Sequence, residues 1–321
     1  MLQSRTANRA LRVPETGVRF QLTMNTADTR QMARQFESQG YVSPIDVFAP
    51  DEIVASRRSF DALEALEGRE KCQVGLFDRH RDLEFVWRMA THPTILNCVE
   101  AIVGPNVFLL SSLFFCKYPP PTPSLRQRIK AVLGMDVDGA KFVDWHQDLK
   151  YWGLDPAYAV TAWIAVDDSD IENGCMRVIP ESHRQGIVEH TTSSERGNLL
   201  HRNQAIRRDL VDDSKAVDLV LQPGQVSLHH GELFHASNPN RSSRRRCGLA
   251  VRYTHPGVKP IPEAKAAVRH PILLRGVDKT KHFGDTSVLP FPLSAIASST
   301  ALPTAPAPDR QPDPQCEIGR Q

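Results

Sequence analysis

Short apolar runs separated by turn residues constrain the fold of this chain more than any other feature of its sequence. They begin at Val107, and Pro, Gly, Asn and Asp lie between them. Runs this short, with turn chemistry between them, favour an all-β sandwich or barrel over βαβ units. The predicted strands are Val107–Tyr118, Phe142–Asp148, Val160–Val166, Met176–Ile179, Asp218–Leu221, Gln225–His229 and Cys247–Tyr253.

Three helices are predicted ahead of these strands. Asn25 or Thr26 suits the N-terminal cap of the first, and Pro93 suits the first turn of the third. A glycine follows the end of each, as is common at helix C-termini. The helices are predicted at about 26–38, 51–66 and 93–102, and they end before Gly40, Gly68 and Gly104. The chain is therefore predicted to be mainly β with flanking helices.

Two long polar segments, about 119–140 and 189–215, interrupt the predicted strands. Loops of this length on a rigid β scaffold tend to be lids or binding loops. The first segment joins two predicted strands, and it contains apolar residues that a purely solvated loop would not need: Ile129, Val132, Leu133 and Met135. A lid over the substrate is one interpretation. Permanent packing on the outside of the barrel, or a contact between subunits, is the other.

The ends of the chain differ in composition from its middle. Residues 1–23 contain four arginines, one acidic residue and no apolar core of a secretory signal, so they are predicted to be a flexible extension. A transit peptide, or a start of translation at Met24, are two alternatives for this segment. Residues 297–321 are rich in Ser, Thr, Ala and Pro and are predicted to be a disordered tail. A single domain is predicted over 24–296.

Composition excludes several classes of protein. The 321 residues are 40% hydrophobic and 24% charged, which is ordinary for a globular protein, and a net charge of +2 predicts neither a nucleic-acid nor a membrane partner. The longest apolar stretch, Val107–Cys116, is too short to span a bilayer. The six cysteines form no CxxC pair, and several lie in apolar runs, which predicts reduced thiols and a cytoplasmic location.

One histidine and one carboxylate in a predicted strand suggest a metal site. His146 and Asp148 lie two residues apart, so alternation would put both side chains on one face. They are two of the three ligands of the facial triad that holds non-haem Fe(II). An HxD pair alone is a weak signal, because a chain of this length can contain one by chance.

A third ligand would have to come from farther along the chain. His229, His230 and His235 are the candidates, since they lie between an apolar run and a polar Ser-Asn-Pro-Asn loop. The sequence pattern does not distinguish among these three histidines. Each could also be a hydrogen-bonded structural histidine, which is the commoner case.

The run that opens with Arg246 suggests an anion site. Alternation places Arg246, Gly248, Ala250 and Arg252 on one face of a strand, with Leu249, Val251 and Tyr253 on the other. Small residues beside an arginine leave room for an anion, and a guanidinium suits a carboxylate. Arg244 and Arg245 are predicted to be solvated.

Four motifs follow one another along the chain. They are the HxD at 146–148, Asn-Gly-Cys-Met-Arg-Val-Ile-Pro-Glu-Ser-His at 173–183, Gly-Glu-Leu-Phe-His-Ala-Ser-Asn-Pro-Asn-Arg-Ser at 231–242, and Arg246. In this order they resemble the phytanoyl-CoA dioxygenase family of Fe(II)/2-oxoglutarate oxygenases. The resemblance covers roughly residues 36–256 and implies a double-stranded β-helix, a jelly-roll barrel like that of the cupins. It also implies that His146, Asp148 and His235 bind Fe(II).

The resemblance extends to the cosubstrate and to O2. It implies that Arg246 pairs with the distal carboxylate of 2-oxoglutarate, and that Lys117, Trp163 and Ser237 line the same pocket. Trp163 could instead be a core residue and Lys117 could be solvated. The chain departs from the family pattern at Glu181 of Pro-Glu-Ser-His and at Ala236 of His-Ala-Ser, and the 119–140 insertion is longer than expected.

The expected reaction is the hydroxylation of a C–H bond of a small organic molecule, such as a specialised metabolite or an acyl or amino-acid derivative, with release of succinate and CO2. Related halogenases carry a small residue where this chain has Asp148, so hydroxylation is favoured, while desaturation and ring formation stay open. The alternatives are a catalytically silent cupin-like binding protein and a Zn-dependent hydrolase with the same three ligands.

Substrate contacts are predicted from position alone. Trp145, Gln147 and Trp152 flank the HxD, and Arg252 lies on the face of Arg246. Aromatic residues that flank a strand are more often part of the core. The oligomeric state is expected to be a monomer or a homodimer.

Overall fold

The computed structural model of the protein describes residues 26–120, 141–193, 196–200, 204–261 and 270–293. The predicted extension at 1–23, the predicted tail at 297–321 and nearly all of the 119–140 insertion lie outside the described residues. The boundaries of the 24–296 domain and the lid hypothesis therefore stay predictions.

Five α-helices, α1 to α5, are described, and they include all three that the sequence predicted. The first ends before Gly40, whose φ of 81° lies in the left-handed region that glycine adopts without strain. Two short helices were missed, because six or seven residues carry too little periodicity to be recognised. The helices are α1 (Thr26–Gln39), α2 (Pro50–Glu67), α3 (Arg69–Val74), α4 (Glu84–Ala90) and α5 (Pro93–Val103).

The described strands form two larger antiparallel sheets and two small pairs. The first sheet has six strands in the order β1-β10-β5-β12-β2-β14, and the second has four in the order β3-β11-β6-β9. The strands are β1 (Tyr41–Asp46), β2 (Val107–Lys117), β3 (Val143–His146), β4 (Leu154–Asp155), β5 (Val160–Ala165), β6 (Met176–Val178), β7 (His190–Thr192), β8 (Gln204–Ile206), β9 (Val217–Leu219), β10 (Gln225–His230), β11 (His235–Ser237), β12 (Arg246–Thr254), β13 (Lys259–Pro260) and β14 (Ile272–Arg275).

All seven predicted strands are confirmed within a few residues. The sequence missed seven of the fourteen described strands, which are β1, β4, β7, β8, β11, β13 and β14. Strand β1 contains Pro44, and the other six have only two to four residues. The second long polar segment, 189–215, is not a plain loop. It contains the antiparallel pair β7–β8, and Arg207 forms an ion pair with Glu189 at 2.5 Å across that segment.

The six-stranded sheet has a different environment on each face. Its outer face packs on the helices, and the buried side chains there include Phe36, Phe60, Trp87, Val99, Leu228, Leu249, Val251 and Tyr253. Its inner face packs on the four-stranded sheet, where Trp163 and Ala250 meet Met176 and Val178. The alternation predicted for β12 is thereby confirmed. Among the described residues no helix is long and apolar enough to cross a membrane.

A buried carboxylate connects helix α2 to the beginning of β12. Asp167 accepts a hydrogen bond from Arg57 Nε at 2.7 Å, from Arg245 Nε at 2.8 Å and from the Cys247 backbone N–H at 3.0 Å. Its side chain is only 3% exposed, so the charge depends on these partners. Arg246 lies between Arg245 and Cys247, which both donate hydrogen bonds to Asp167.

We expect Asp167→Asn to lower the free energy of unfolding by about 3 kcal/mol, because it removes the buried charge that Arg57, Arg245 and the Cys247 N–H share, and Arg245 then keeps only its ion pairs with Asp61 and Glu64. Urea denaturation measures this change. Asp168→Asn, at the exposed neighbouring position, is the matched control and should change stability little. Equal stability of the two variants would show that the Asp167 network contributes nothing.

Two buried histidines outside the candidate site make stability depend on pH. Burial, with Arg81 nearby, lowers the pKa of His80 to about 3, and burial beside His183 lowers that of His230 to about 4. The unfolded chain has ordinary histidine pKa values near 6.5, so it binds more protons than the folded chain below that pH. Stability therefore falls as the pH drops from about 6.5 toward 4.

We expect the metal-free protein to lose stability between pH 6.5 and 4.5, and His80→Asn to reduce this loss by about 2 kcal/mol. The asparagine amide retains a polar group beside Ser112, whose hydroxyl lies 2.7 Å from His80 Nδ1. Urea denaturation at several pH values measures the difference. An identical pH dependence in the variant would contradict a neutral, buried His80.

Candidate metal centre

Two histidines and one aspartate converge between the two sheets. His146 ends β3, Asp148 begins a 3-10 helix at Asp148–Tyr151, and His235 begins β11. His235 and His146 are direct cross-strand partners, which brings their rings to 4.0 Å between centroids. One potential ligand atom from each of the three residues lies within 4.8 Å of the others, and all three residues are buried.

The strand predicted over Phe142–Asp148 extends too far at its C-terminal end. The strand stops at His146, and Asp148 lies in the turn that follows. The strand alternation that suggested the pair therefore does not apply to Asp148. The turn nevertheless returns its carboxylate toward the imidazoles, and Oδ1 lies 3.9 Å from His146 Nε2 and 4.0 Å from His235 Nε2.

Backbone carbonyls orient both imidazoles. His146 Nδ1 lies 2.9 Å from the carbonyl oxygen of Asp144, and His235 Nδ1 lies 2.9 Å from that of Leu233. A carbonyl can only accept, so each Nδ1 carries the proton and donates it. Each Nε2 then presents a lone pair toward Asp148, as metal-binding histidines do.

Electrostatics favour the protonation states that a metal requires. Burial raises the pKa of Asp148, but Arg252 and the surrounding imidazoles outweigh burial and hold it well below its usual value. Burial and the adjacent His235 lower the pKa of His146 to about 3. At neutral pH the centre therefore offers one carboxylate and two neutral imidazoles. This donor set fits a divalent transition metal such as Fe(II).

The two other candidate histidines lie outside this group. His229 Nε2 is 3.9 Å from the other carboxylate oxygen, Asp148 Oδ2, and neither ring nitrogen of His229 has a hydrogen-bond partner among the described residues. His230 is directed to the opposite side of β10, where its ring approaches Phe36 and Tyr158. The geometry therefore groups His235 with His146 and Asp148.

The residues expected to bind an anion also lie together. Arg246 and Lys117 are cross-strand partners on β12 and β2, and Lys117 Nζ donates to Ser237 Oγ at 2.5 Å and to the Ser237 carbonyl at 3.0 Å. Arg246 Cζ lies 5.3 Å from the Trp163 ring centroid, and Trp163 itself packs on Gly248, where a Cβ would collide with it. A larger residue than glycine would displace the tryptophan.

Arg246 is a buried cation that no carboxylate of the described residues approaches within ion-pair distance. It is only 3% exposed, no ion pair joins it to a described residue, and its Nε has no hydrogen-bond partner there. Burial lowers the pKa of Arg246, and burial beside Arg246 lowers that of Lys117 well below the usual value. Uncompensated buried positive charge favours an anionic ligand. Ser237, two residues after His235, connects this cluster to the metal group.

Two predicted substrate contacts are placed away from the site. Trp145 points to the opposite side of β3 from His146, where it packs with Ile179 and Phe234 and its Nε1 donates to Asp213 at 2.7 Å. The Gln147 amide donates to two backbone carbonyls and its oxygen accepts from the Val188 N–H. The hydrogen-bonding capacity of Gln147 is therefore used within the fold, and the substrate contacts of Trp145 and Gln147 stay predictions.

Trp152 and Arg252 do lie near the metal group. Arg252 Nε is 3.5 Å from Asp148 Oδ2, and its Cζ lies 5.1 Å from the Trp152 ring centroid. Thr161 was missed by the sequence analysis although its hydroxyl donates to Asp148 Oδ2 at 3.0 Å. The signal was available, because Thr161 is a hydroxyl residue on the same face of an apolar strand as Trp163.

Most of the chain is similar in sequence to known proteins. The sequence model of the family "Phytanoyl-CoA dioxygenase (PhyH)" matches residues 36–248. Human peroxisomal phytanoyl-CoA dioxygenase is 24% identical over 230 residues, which are 71% of this chain and 61% of that protein. A probable alpha-ketoglutarate-dependent hypophosphite dioxygenase of Stutzerimonas stutzeri is 31% identical over 168 residues, 52% of each chain. The chain thus spans about three fifths of the length of the human relative.

Solved structures show the same architecture. The non-heme monooxygenase ThoJ superposes with a TM-score of 0.60 at 27% identity, covering 77% of this chain and 84% of its own. CytC3 with Fe(II) and alpha-ketoglutarate gives a TM-score of 0.54 at 21% identity, covering 81% and 92%. The fold is the double-stranded β-helix of the non-haem Fe(II)/2-oxoglutarate oxygenases. More specifically, the chain belongs to the phytanoyl-CoA dioxygenase (PhyH) family.

We expect His235→Ala to weaken Co(II) binding by more than about 100-fold, since even residues that only support a ligand typically account for 10–100-fold in affinity. His229→Ala should change this affinity far less. Isothermal titration of the metal-free variants with Co(II), a stand-in for Fe(II), measures both. A larger loss of Co(II) affinity in His229→Ala than in His235→Ala would make His229 the metal ligand instead of His235.

Proposed function

We propose that the chain is a non-haem Fe(II)/2-oxoglutarate-dependent dioxygenase that hydroxylates a C–H bond of a small organic molecule. One observation carries the proposal. A His-Asp-His group with correctly oriented imidazoles lies beside a buried Arg246–Lys117 cluster that lacks any described carboxylate partner. A cation site next to an anion site suits a metal-bound dicarboxylate cosubstrate.

Each cluster has its own task in the proposed reaction. His146, Asp148 and His235 would hold Fe(II) as its three protein ligands, a donor set that suits non-haem iron. Arg246 binds the distal carboxylate of 2-oxoglutarate, with Lys117 and Ser237 completing the polar end of that pocket and Trp163 its wall. With these bound, the iron, 2-oxoglutarate and O2 supply the oxidation of the C–H bond, and succinate and CO2 are released.

Two further interpretations fit the residues less well. A Zn-dependent hydrolase would use the same three ligands but gives Arg246 no anion to bind. A silent binding protein gives no reason for two imidazoles to keep the Nδ1–carbonyl bonds that direct both Nε2 atoms toward Asp148. Asp148 itself favours hydroxylation over halogenation, because it occupies a position that chloride would need.

The proposal extends to the location and the assembly of the protein. Cys72, Cys116, Cys175 and Cys247 are buried free thiols, which supports a cytoplasmic location, although the mammalian relatives are named peroxisomal. The family's enzymes act on small molecules, and the net charge of +2 supports neither a nucleic-acid partner nor a membrane partner. We propose a monomer or a homodimer.

Arg246→Ala should raise the 2-oxoglutarate concentration needed for half-maximal succinate release by at least about 30-fold, because losing one partner of a desolvated charge pair costs about 2–5 kcal/mol. Succinate is measured with Fe(II) and a panel of small metabolites, and a chelator should abolish its release.

Arg244→Ala is the control, since Arg244 lies two residues away but pairs with Asp170 and Glu172 on the surface. It should leave the 2-oxoglutarate requirement unchanged. An unchanged requirement in Arg246→Ala would make Lys117 or Arg252 the main anchor.

A further inference from the structure

Three polar residues occupy one register across three adjacent strands of the six-stranded sheet. Thr161 on β5 is the direct cross-strand partner of Arg252 on β12 and also of His229 on β10. Directly paired residues point to the same face of a sheet, and here it is the inner face. All three side chains are therefore directed across the interior toward Asp148.

The two oxygens of Asp148 have different neighbours. Oδ1 faces the imidazoles, at 3.9 Å from His146 Nε2 and 4.0 Å from His235 Nε2. Oδ2 faces the polar row, where it accepts a hydrogen bond from Thr161 Oγ1 at 3.0 Å and lies 3.5 Å from Arg252 Nε. One oxygen is thus turned to the metal ligands and the other to the sheet.

Arg252 is held in this position by its surroundings. It is 8% exposed, and its guanidinium lies over the Trp152 ring at 5.1 Å. Trp152 is packed in turn against Leu110, Leu149 and Leu154. A guanidinium packed between an aromatic ring and a carboxylate keeps its orientation, because moving it away would leave the buried carboxylate without its cationic partner.

We propose that Thr161 and Arg252 are positioning residues that retain Asp148 Oδ2, so that the carboxylate binds the metal through Oδ1 alone. Carboxylates bind metals through one oxygen or through two. A second oxygen on the metal would take one of the positions that the cosubstrate and O2 need. This inference rests on the proposed function, since it concerns the same metal group, and it differs from the predicted substrate contact of Arg252.

The test uses Co(II) with the full-length metal-free protein and does not require activity. In Thr161→Val and Arg252→Met we expect the Kd for Co(II) to rise about 10–100-fold, as happens when residues that orient metal ligands are removed. The visible absorption of the Co(II)-loaded variants should also differ from that of the wild type, because coordination by the carboxylate changes. Thr161→Ser restores the hydroxyl and should bind Co(II) as the wild type does.

Thr254→Val is the matched control. It removes a hydroxyl from the same sheet, one that donates to the Tyr158 carbonyl at 2.7 Å and is fully buried. It should lower the melting temperature about as much as Thr161→Val while leaving the Co(II) affinity and spectrum unchanged. Arg252→Lys serves if Arg252→Met fails to fold, and its Co(II) affinity should be reduced as well.

The possible outcomes separate this inference from the proposed function. In one outcome the wild type binds Co(II) and 2-oxoglutarate, and Thr161→Val and an Arg252 variant bind Co(II) with the same affinity and spectrum as the wild type. This outcome would overturn the positioning role alone. Wild-type protein that binds no Co(II) would overturn both. Loss of affinity in Thr254→Val equal to that in Thr161→Val would make the effect one of general stability and would also overturn the inference.

Discussion

Burial of the Asp148 carboxylate is the constraint on which the rest of the centre depends. A charge removed from water is costly unless it is paired and hydrogen-bonded. Thr161 donates a hydrogen bond to Asp148, which is 7% exposed, and Arg252 with the surrounding imidazoles keeps the pKa of Asp148 low despite burial. The same surroundings make the carboxylate a ready ligand, so stabilising the fold and preparing the centre require the same contacts.

Strand β12 packs in the hydrophobic core with one face and directs side chains toward the candidate metal centre with the other. Leu249, Val251 and Tyr253 pack on the helices, while Arg246 and Arg252 carry charge into the interior at opposite ends of the strand. Between them, Gly248 lets Trp163 lie against the sheet. The hydrophobic layer outside therefore fixes the positions of the two cations inside, because a shift of register by one residue would exchange the faces.

Charge is distributed unevenly over the interior. The Arg246 end contains two basic side chains and no described carboxylate within ion-pair distance, whereas the Asp148 end pairs Arg252 with its carboxylate. Outside the space between the sheets, the network of Asp167 with Arg57 and Arg245 holds the beginning of β12 through the Cys247 N–H. An anion would be stabilised most at the Arg246 end, where the positive charge has no described partner. This agrees with a dicarboxylate cosubstrate next to the metal.

Sequence alone determined the three helices that end at glycines, seven of the strands, the two faces of β12 and His146 with Asp148 as a candidate pair of metal ligands, and the family resemblance added His235. These follow from local periodicity and from the order of short motifs. Tertiary structure decided that Asp148 lies in a turn, that His235 rather than His229 faces His146, that Trp145 and Gln147 are directed away, and that Thr161 reaches Asp148. The reason is that strand register across distant segments, and the path of a turn, depend on contacts between residues far apart in sequence.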